Sequence, residues 1–533
     1  MIRKLLLLSL LFSVICISVV RGQSNKYWVY LKDKKNVNFD PAVYFDKKTI
    51  ERRLANNIPL VDSTDFPLNP EYFTTVKNIV DSVSHSTRWF NAMSVYATNN
   101  EIEEVSKLPF VKSVEQMEGT FFPAEYNPKD WDTTVSSTLL NVMEKQTKRF
   151  GGDLFQKEGI DGKGIRIAIF DGGFPTVNTS PVFEQIRKEG RIIKTWDFTK
   201  NKEFVYGYIA HGTMVMSCIG GMINGKKIGL ATGAEFLLAR TEVRSEPFSE
   251  EENWLAAVEW ADKNGADIIN SSLGYTYHRY FQNQMDGKTS LVVKAANLAA
   301  KKGMLVVNAA GNDGDNSWHV IGTPADADSA LAIGGIDPFT DYHISFSSYG
   351  PTSDKRMKPN VCALGHVTAA GKGGLAAVDG TSFASPLVAG FAACAWQTNK
   401  ALTNMQLFSE IEKSADLYPY FDYAHGYGVP QAYYFLQFAK YKLEEDYKIV
   451  PSFDFVKEND TVRVIIKQEY FDIKYTGSQS YLYYNIQNAD GTLKEYSVLS
   501  VSDNDVLNLG ISDFKKGQKL NVHLGNYTNS FDF

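Results

Sequence analysis

Cysteine is scarce, with four residues in 533 and no Cys-x-x-Cys pair among them. A chain of this length with so few thiols is not a disulfide-stapled scaffold, and it has no thiol pair of the kind that holds zinc. None of the 8 histidines stands at metal-ligand spacing from another. Basic charge is not in excess either: 55 Lys and Arg against 61 Asp and Glu give a net charge of -6. Without a basic stripe, nucleic acid is excluded as an expected partner. Gly (40) and Pro (18) are too few for a collagen-like or linker-dominated chain, and neither an internal repeat nor a low-complexity tract occurs. What is plentiful is apolar surface. At 44% hydrophobic and 13% aromatic residues the chain can bury several cores, and its length predicts roughly two to four domains.

The amino terminus reads MIRKLLLLSLLFSVICISVVRG, with Arg3 and Lys4 ahead of an apolar run from Leu5 to Val20 and a small residue, Gly22, at its end. This is the pattern of a secretory signal. The run falls short of the roughly 20 residues that span a bilayer. The expectation is a secreted or extracytoplasmic protein with no membrane span once residues 1–22 are removed. Cys16 leaves with the signal, and Cys218, Cys362 and Cys394, each set among apolar neighbours, are expected as small buried hydrophobes.

Composition divides the remainder. Residues 23–120 carry short aromatic strands (YWVYL, WFNAMSVYAT, FVKSVEQ) and a charged helix (EIEEVSKL), which predicts a small α+β domain. Residues 121–152 read as a polar, irregular linker. From 153 to 445, β-branched runs (IRIAIF, AEFLLAR, DIINSS, MLVVNAA) alternate with helical segments, two of which end at the C-cap glycines Gly265 and Gly303. That alternation predicts an α/β fold, a parallel sheet with helices on both faces. Residues 446–533 alternate and are rich in aromatics, with Asp490-Gly491 as a hairpin signal, and predict an all-β, sandwich-like domain.

In a parallel sheet, chemistry collects beyond the carboxyl ends of the strands. Three segments there bring the residue types of nucleophilic acyl transfer: Asp171 in IAIFDGG, His211 in HGTMVMSCIGG and Ser382 in DGTSFASPLVAG. A serine hydroxyl needs an imidazole to take its proton, and the imidazole needs a carboxylate to fix its tautomer and stabilise its charge. Ser382 at a helix amino terminus adds free backbone N–H groups and the positive end of the helix dipole, with Pro386 placed in the helix's first turn. A fourth segment, VVNAAGNDG, offers the Asn312 amide as a second donor to a developing oxyanion.

These segments together resemble the subtilisin-like (subtilase) serine peptidases. GTSFASP resembles the nucleophile box, HGT the histidine box and AAGN the oxyanion box. INSSLG resembles the strand that pairs with substrate backbone, FSSYGPTSDKRMKPNVCALG the segment before the nucleophile, and GYGVPQA the close of the catalytic domain. The resemblance implies Asp171, His211, Ser382 and Asn312 as catalytic residues. It also implies substrate contacts from Ser272, Leu273, Gly274, Gly311 and Gly322, with polypeptide as the substrate. Residues 23–120 would then be an inhibitory propeptide, a partner to its own active site, with the processing bond in 121–152. No cofactor is required for the chemistry and no metal ligand is assigned; the resemblance leaves room for a structural calcium, although no D-x-D-x-D-G loop is present.

The chain departs from the family pattern in three places. Gly172 follows the aspartate where relatives carry Ser or Thr, so backbone N–H groups must orient the carboxylate. Met214 replaces a second histidine, and Ser217 a glycine. Asp313, Asp315 and Asp326 read as solvated loop carboxylates or as an acidic rim to the specificity pocket. Two other functions stand beside this one. An α/β-hydrolase is excluded, since Gly380-Thr381-Ser382-Phe383-Ala384 is not G-x-S-x-G and both acid and histidine precede the serine. The other is a catalytically silent subtilase fold that binds a partner through its C-terminal β-domain.

Overall fold

The computed structural model describes residues 24–117, 137–243, 249–276, 279–371, 373–439, 451–472, 481–501 and 505–533. The expected signal and the first part of the expected linker lie outside them. The chain divides into two compact units, one of residues 1–39 and 62–118, the other of 40–61 and 119–533.

In the first unit, strands β1 (Asn25–Leu31), β2 (Ser82–Thr87), β3 (Ala92–Ala97) and β4 (Val111–Gln116) form an antiparallel sheet in the order β2-β3-β1-β4. Helices Pro70–Ile79 and Asn99–Ser106 bury Val76 and Val105 against Val29, Met93 and Val95 of the sheet. The second of these helices opens with a capping box, Thr98 with Glu101, which satisfies two of the backbone groups that a helix start leaves open.

The second unit begins with the segment 40–61, which holds helix α1 (Lys47–Ala55). Its centre is a seven-stranded sheet of β5 (Arg166–Asp171), β6 (Ile192–Asp197), β7 (Glu235–Arg240), β8 (Ile268–Ser271), β9 (Leu305–Ala309), β10 (Ala330–Ile336) and β11 (Val361–Leu364). The order is β11-β10-β9-β8-β5-β7-β6 and every pairing is parallel. Apart from the edge strand β6, the strands are buried on both faces, which is why they read as apolar runs. Side chains alternate across β5. Ile167 and Ile169 join the core that includes α2 (His211–Gly220) and α5 (Thr381–Thr398). On the opposite face Phe170 meets Trp254 of α3 (Ser249–Lys263) edge-on, with ring centroids 5.6 Å apart. Helix α4 (Leu291–Lys301) lies beside α3. After β5 the chain goes to the edge strand β6, returns to β7 beside β5, and then crosses to β8 on the other side of β5, so the strand order reverses beside β5. A crevice opens at such a reversal.

The structure corrects the expected linker. Residues Ser137–Lys148 and Gly152–Lys157 are helices, and Leu139, Val142 and Met143 of the first are buried. The Gln146 amide donates to the carbonyls of Ile228 (2.7 Å) and Thr368 (3.1 Å). Polarity on the outer face of this helix hid its apolar stripe.

At the carboxyl end, a three-stranded and a four-stranded sheet share a core that includes Phe453, Val464, Leu482, Ile486, Leu520 and Val522. One helical turn, Gln468–Asp472, stands among the strands. The Tyr420 hydroxyl lies 3.1 Å from the Tyr484 carbonyl, and the Asn485 amide donates to the Phe421 carbonyl at 2.6 Å, joining these strands to the rest of the unit. Cys218, Cys362 and Cys394 are buried and unbridged, and burial raises the thiol pKa of each, that of Cys218 to about 12. Among the described residues no helix is long and apolar enough to cross a membrane.

Trp254 tests the packing between β5 and α3. Its side chain is fully buried, and its indole N–H donates to Ser271 Oγ at 3.0 Å. Trp254→Ala is expected to lower unfolding free energy by about 3–5 kcal/mol, measured by urea denaturation in a Ser382→Ala background; a loss below about 1 kcal/mol would contradict the packing.

Candidate active site

Strand β5 ends in a carboxylate. Asp171 is fully buried, and its Oδ1 accepts the N–H of Gly172 at 2.7 Å, so the backbone supplies a donor where a neighbouring hydroxyl is missing. Its Oδ2 lies 2.8 Å from His211 Nδ1. A carboxylate can only accept, so Nδ1 carries the proton and Nε2 keeps its lone pair. His211 is the first residue of α2, and Gly212 lets the helix start approach the strand end. A Cβ on Gly212 would stand 2.5 Å from the Gly173 carbonyl and 2.9 Å from Asp171 Cβ. Burial by itself lowers the pKa of His211, but the Asp171 carboxylate, through charge and hydrogen bond, and Glu242 outweigh it and hold the imidazole above its ordinary value.

Ser382 is the second residue of α5, after Gly380 with φ +143° and Thr381. The ring of Phe383 lies 5.3 Å from that of His211, which puts the start of α5 against the imidazole. Pro386, expected in the first turn, is instead inside the helix. Having no N–H, it leaves the carbonyl four residues earlier, that of Ser382, without a helical donor. Ser272 Oγ donates to that carbonyl at 2.8 Å, and Ser382 Oγ donates to the Ser272 carbonyl at 3.1 Å. A proline in the helix thus ties the candidate nucleophile reciprocally to the segment after β8.

Asn312 is fixed by Thr381. The Thr381 N–H donates to Asn312 Oδ1 at 2.8 Å, and Thr381 Oγ1 is 2.9 Å from the same oxygen. Since a backbone N–H can only donate, the atom facing it is the amide oxygen, and Nδ2 points the other way. That nitrogen lies 3.5 Å from where a Cβ on Gly380 would stand, beside the start of α5.

The expected substrate contacts gather around the same strand ends. The Leu273 carbonyl accepts the Asn308 amide at 2.9 Å, and Gly274 has open space where a side chain would be. A Cβ on Gly311 would stand 2.7 Å from Ser348 Oγ, and Gly322 donates to the Ala310 carbonyl at 3.1 Å beside the paired Tyr275 and Thr323. Asp326 is not a solvated loop carboxylate. It is 1% exposed, accepts the Gly287 N–H at 2.9 Å, and burial pushes its carboxyl up to about 6. Asp313 is half-buried and raised by that burial, while Asp315 is exposed. Met214 and Ser217 are buried in α2; Ser217 Oγ donates to the Met214 carbonyl at 2.7 Å and accepts the Ala370 N–H at 2.9 Å.

Three contributors went unread in the sequence. Thr381 orients Asn312. Glu242, two residues past β7, acts on His211 through its charge and accepts the Tyr275 hydroxyl at 3.1 Å. Arg240 donates to the Gly172 carbonyl at 3.0 Å and pairs with the buried Asp197, also at 3.0 Å. For Glu242 and Arg240, position at a strand's carboxyl end was the available signal. Among the described residues, no group of three or more His, Cys, Asp and Glu side chains is placed to hold a metal ion.

The subtilase family model matches residues 162–428, and a model described as the peptidase S8 propeptide domain of Bacteroidota matches residues 26–130. Minor extracellular protease Vpr of Bacillus subtilis (strain 168) is 30% identical over 257 residues, 46% of this chain and 30% of that protein. Subtilisin DY of Bacillus licheniformis is 28% identical over 265 residues, 49% of this chain and 88% of that protein. The chain thus spans under a third of Vpr and most of subtilisin DY. Among solved structures, MycP1 with its N-terminal propeptide removed aligns at 24% identity and a TM-score of 0.45, over 55% of this chain and 96% of that one. With its family model spanning the strands and helices that carry Asp171, His211, Asn312 and Ser382, the chain belongs to the subtilase family.

Proposed function

We propose that the protein is a secreted serine endopeptidase made as a zymogen. The observation that carries this reading is the buried Asp171–His211 hydrogen bond of 2.8 Å, formed beside the helix start that holds Ser382. Ser382 Oγ attacks the carbonyl carbon of a peptide bond while His211 Nε2 takes its proton. The charge that forms on the imidazole is stabilised by Asp171, and the charge on the former carbonyl oxygen by Asn312 Nδ2 and the Ser382 N–H. The C–N bond then breaks as His211 returns the proton to the leaving amine, and water releases the acyl group by the same steps in reverse order.

The segment 272–274, open where a side chain on Gly274 would be, suits an extended polypeptide, whose backbone groups pair with a strand in the manner of an added sheet member. Residues 23–120 are read as the inhibitory propeptide, supported by the propeptide-domain match. The processing bond is read as lying in 121–152, and the burial of Leu139, Val142 and Met143 in the helix Ser137–Lys148 favours a position before that helix. Export is supported by the charged and apolar amino terminus.

The expected outcomes are kinetic. Ser382→Ala abolishes hydrolysis of a peptide substrate, and Asn312→Ala lowers kcat by about 100- to 1000-fold with KM little changed, the range known from subtilisin itself. An Asn312→Ala enzyme with wild-type kcat would remove that residue from the oxyanion site. Because the base must be neutral, kcat/KM rises as pH passes upward through the pKa of His211, which Asp171 holds above 6.5. Asp171→Asn is expected to lower the plateau and move this rise to lower pH. An unmoved midpoint would contradict the electrostatic role given to Asp171.

A further inference from the structure

The propeptide-domain match spans residues 26–130, yet 40–61 are built into the second unit, together with the catalytic residues. Two helices, α3 and α4, end at the amino-terminal edge of the sheet, and helix ends carry unpaired carbonyls and partial negative charge. Arg52 of α1 meets both ends. Its Nε donates to the Lys302 carbonyl at 3.1 Å, Nη1 donates to the Ala266 carbonyl, and Nη2 pairs with Asp262. Arg53 Nη2 pairs with the other oxygen of Asp262 at 2.8 Å, and its guanidinium lies 4.3 Å from the centre of the Phe45 ring. The Arg52, Arg53 and Asp262 side chains are 2%, 0% and 2% exposed. Around this centre the Lys263 carbonyl accepts the Asp46 N–H (2.9 Å), Asp262 O accepts Thr49 Oγ1, Asp267 pairs with Lys48 (2.8 Å) and Asn56 Oδ1 accepts the Asn404 N–H (3.2 Å).

We propose that residues 40–61 are a clamp by which the propeptide grips the catalytic unit, centred on the Arg52, Arg53 and Asp262 side chains. The receiving surface is the pair of helix ends around Asp262, and the partner it fits is a helix with two adjacent arginines. This surface lies at the opposite edge of the sheet from Asp171, so the clamp holds the propeptide without occupying the substrate edge. The proposal rests on the reading of residues 23–120 as a propeptide. Two buried guanidinium groups share one carboxylate, so truncating either side leaves a buried charge without its partner and costs affinity.

The test uses the full chain carrying Ser382→Ala and a site for an added sequence-specific protease between residues 119 and 135. After cutting, the amino-terminal fragment is expected to co-elute with the catalytic unit in gel filtration. Arg52→Ala with Arg53→Ala should weaken the fragment's affinity on the order of 100-fold or more. Asp262→Asn, checked for folding by near-ultraviolet circular dichroism, should weaken it comparably. The combined variant should be little weaker than either, because the groups act as one contact. A wild-type fragment that separates freely, or variants that bind as tightly as wild type, would overturn the clamp. Amino-terminal sequencing of the active chain reads the zymogen claim separately: an uncut, fully active chain contradicts that claim and leaves the measured affinity standing.

Discussion

The Asp171 carboxylate is fully buried at the end of an apolar strand, where a charge without partners would be costly. Two donors satisfy it, the Gly172 N–H and the His211 imidazole. Much of the architecture follows from that requirement. The strand order reverses beside β5, which opens the space in which α2 can start. Gly212 lets that start come within contact of the carboxylate, and Arg240, itself neutralised by Asp197, donates to the carbonyl of Gly172, the residue whose N–H Asp171 accepts.

The other half of the site is organised by covalent geometry. Pro386 withholds a backbone donor from Ser382, and Ser272 takes the vacant place, so the nucleophile's helix and the substrate-binding edge are joined by two hydrogen bonds. Thr381, one residue before the nucleophile, orients the Asn312 amide. Nucleophile and oxyanion donor are therefore set by the same turn of chain, and displacement of one displaces the other. Preorganisation of this kind lets a donor act on a transition state without having to move first.

Much of this was legible in the sequence because it is local. Asp171, His211, Asn312 and Ser382 each sit in a short motif at a strand end or helix start, and the apolar runs of β5, β7, β8 and β9 announce a parallel sheet. What was not legible depends on contacts between distant residues. Pro386 looked like a helix-start residue until the true amino terminus at Thr381 placed it further in. The helix Ser137–Lys148 read as linker because its buried residues are few and polar ones surround them. Residues 40–61 read as one more part of a small α+β domain, since nothing in ERRLA reveals a carboxylate more than 200 positions away. Asp326 likewise looked like a loop carboxylate because its burial comes from neighbours far along the chain.

The account makes Asp171, His211 and Ser382 a single activated nucleophile, and its most direct test is covalent. The processed protein would be treated with a fluorophosphonate, a phosphoryl fluoride that traps an activated serine, and its peptides mapped by mass spectrometry. A single adduct on Ser382, absent in His211→Ala, is the predicted result. No adduct, an adduct on another residue, or labelling of Ser382 that persists undiminished without His211 would contradict it.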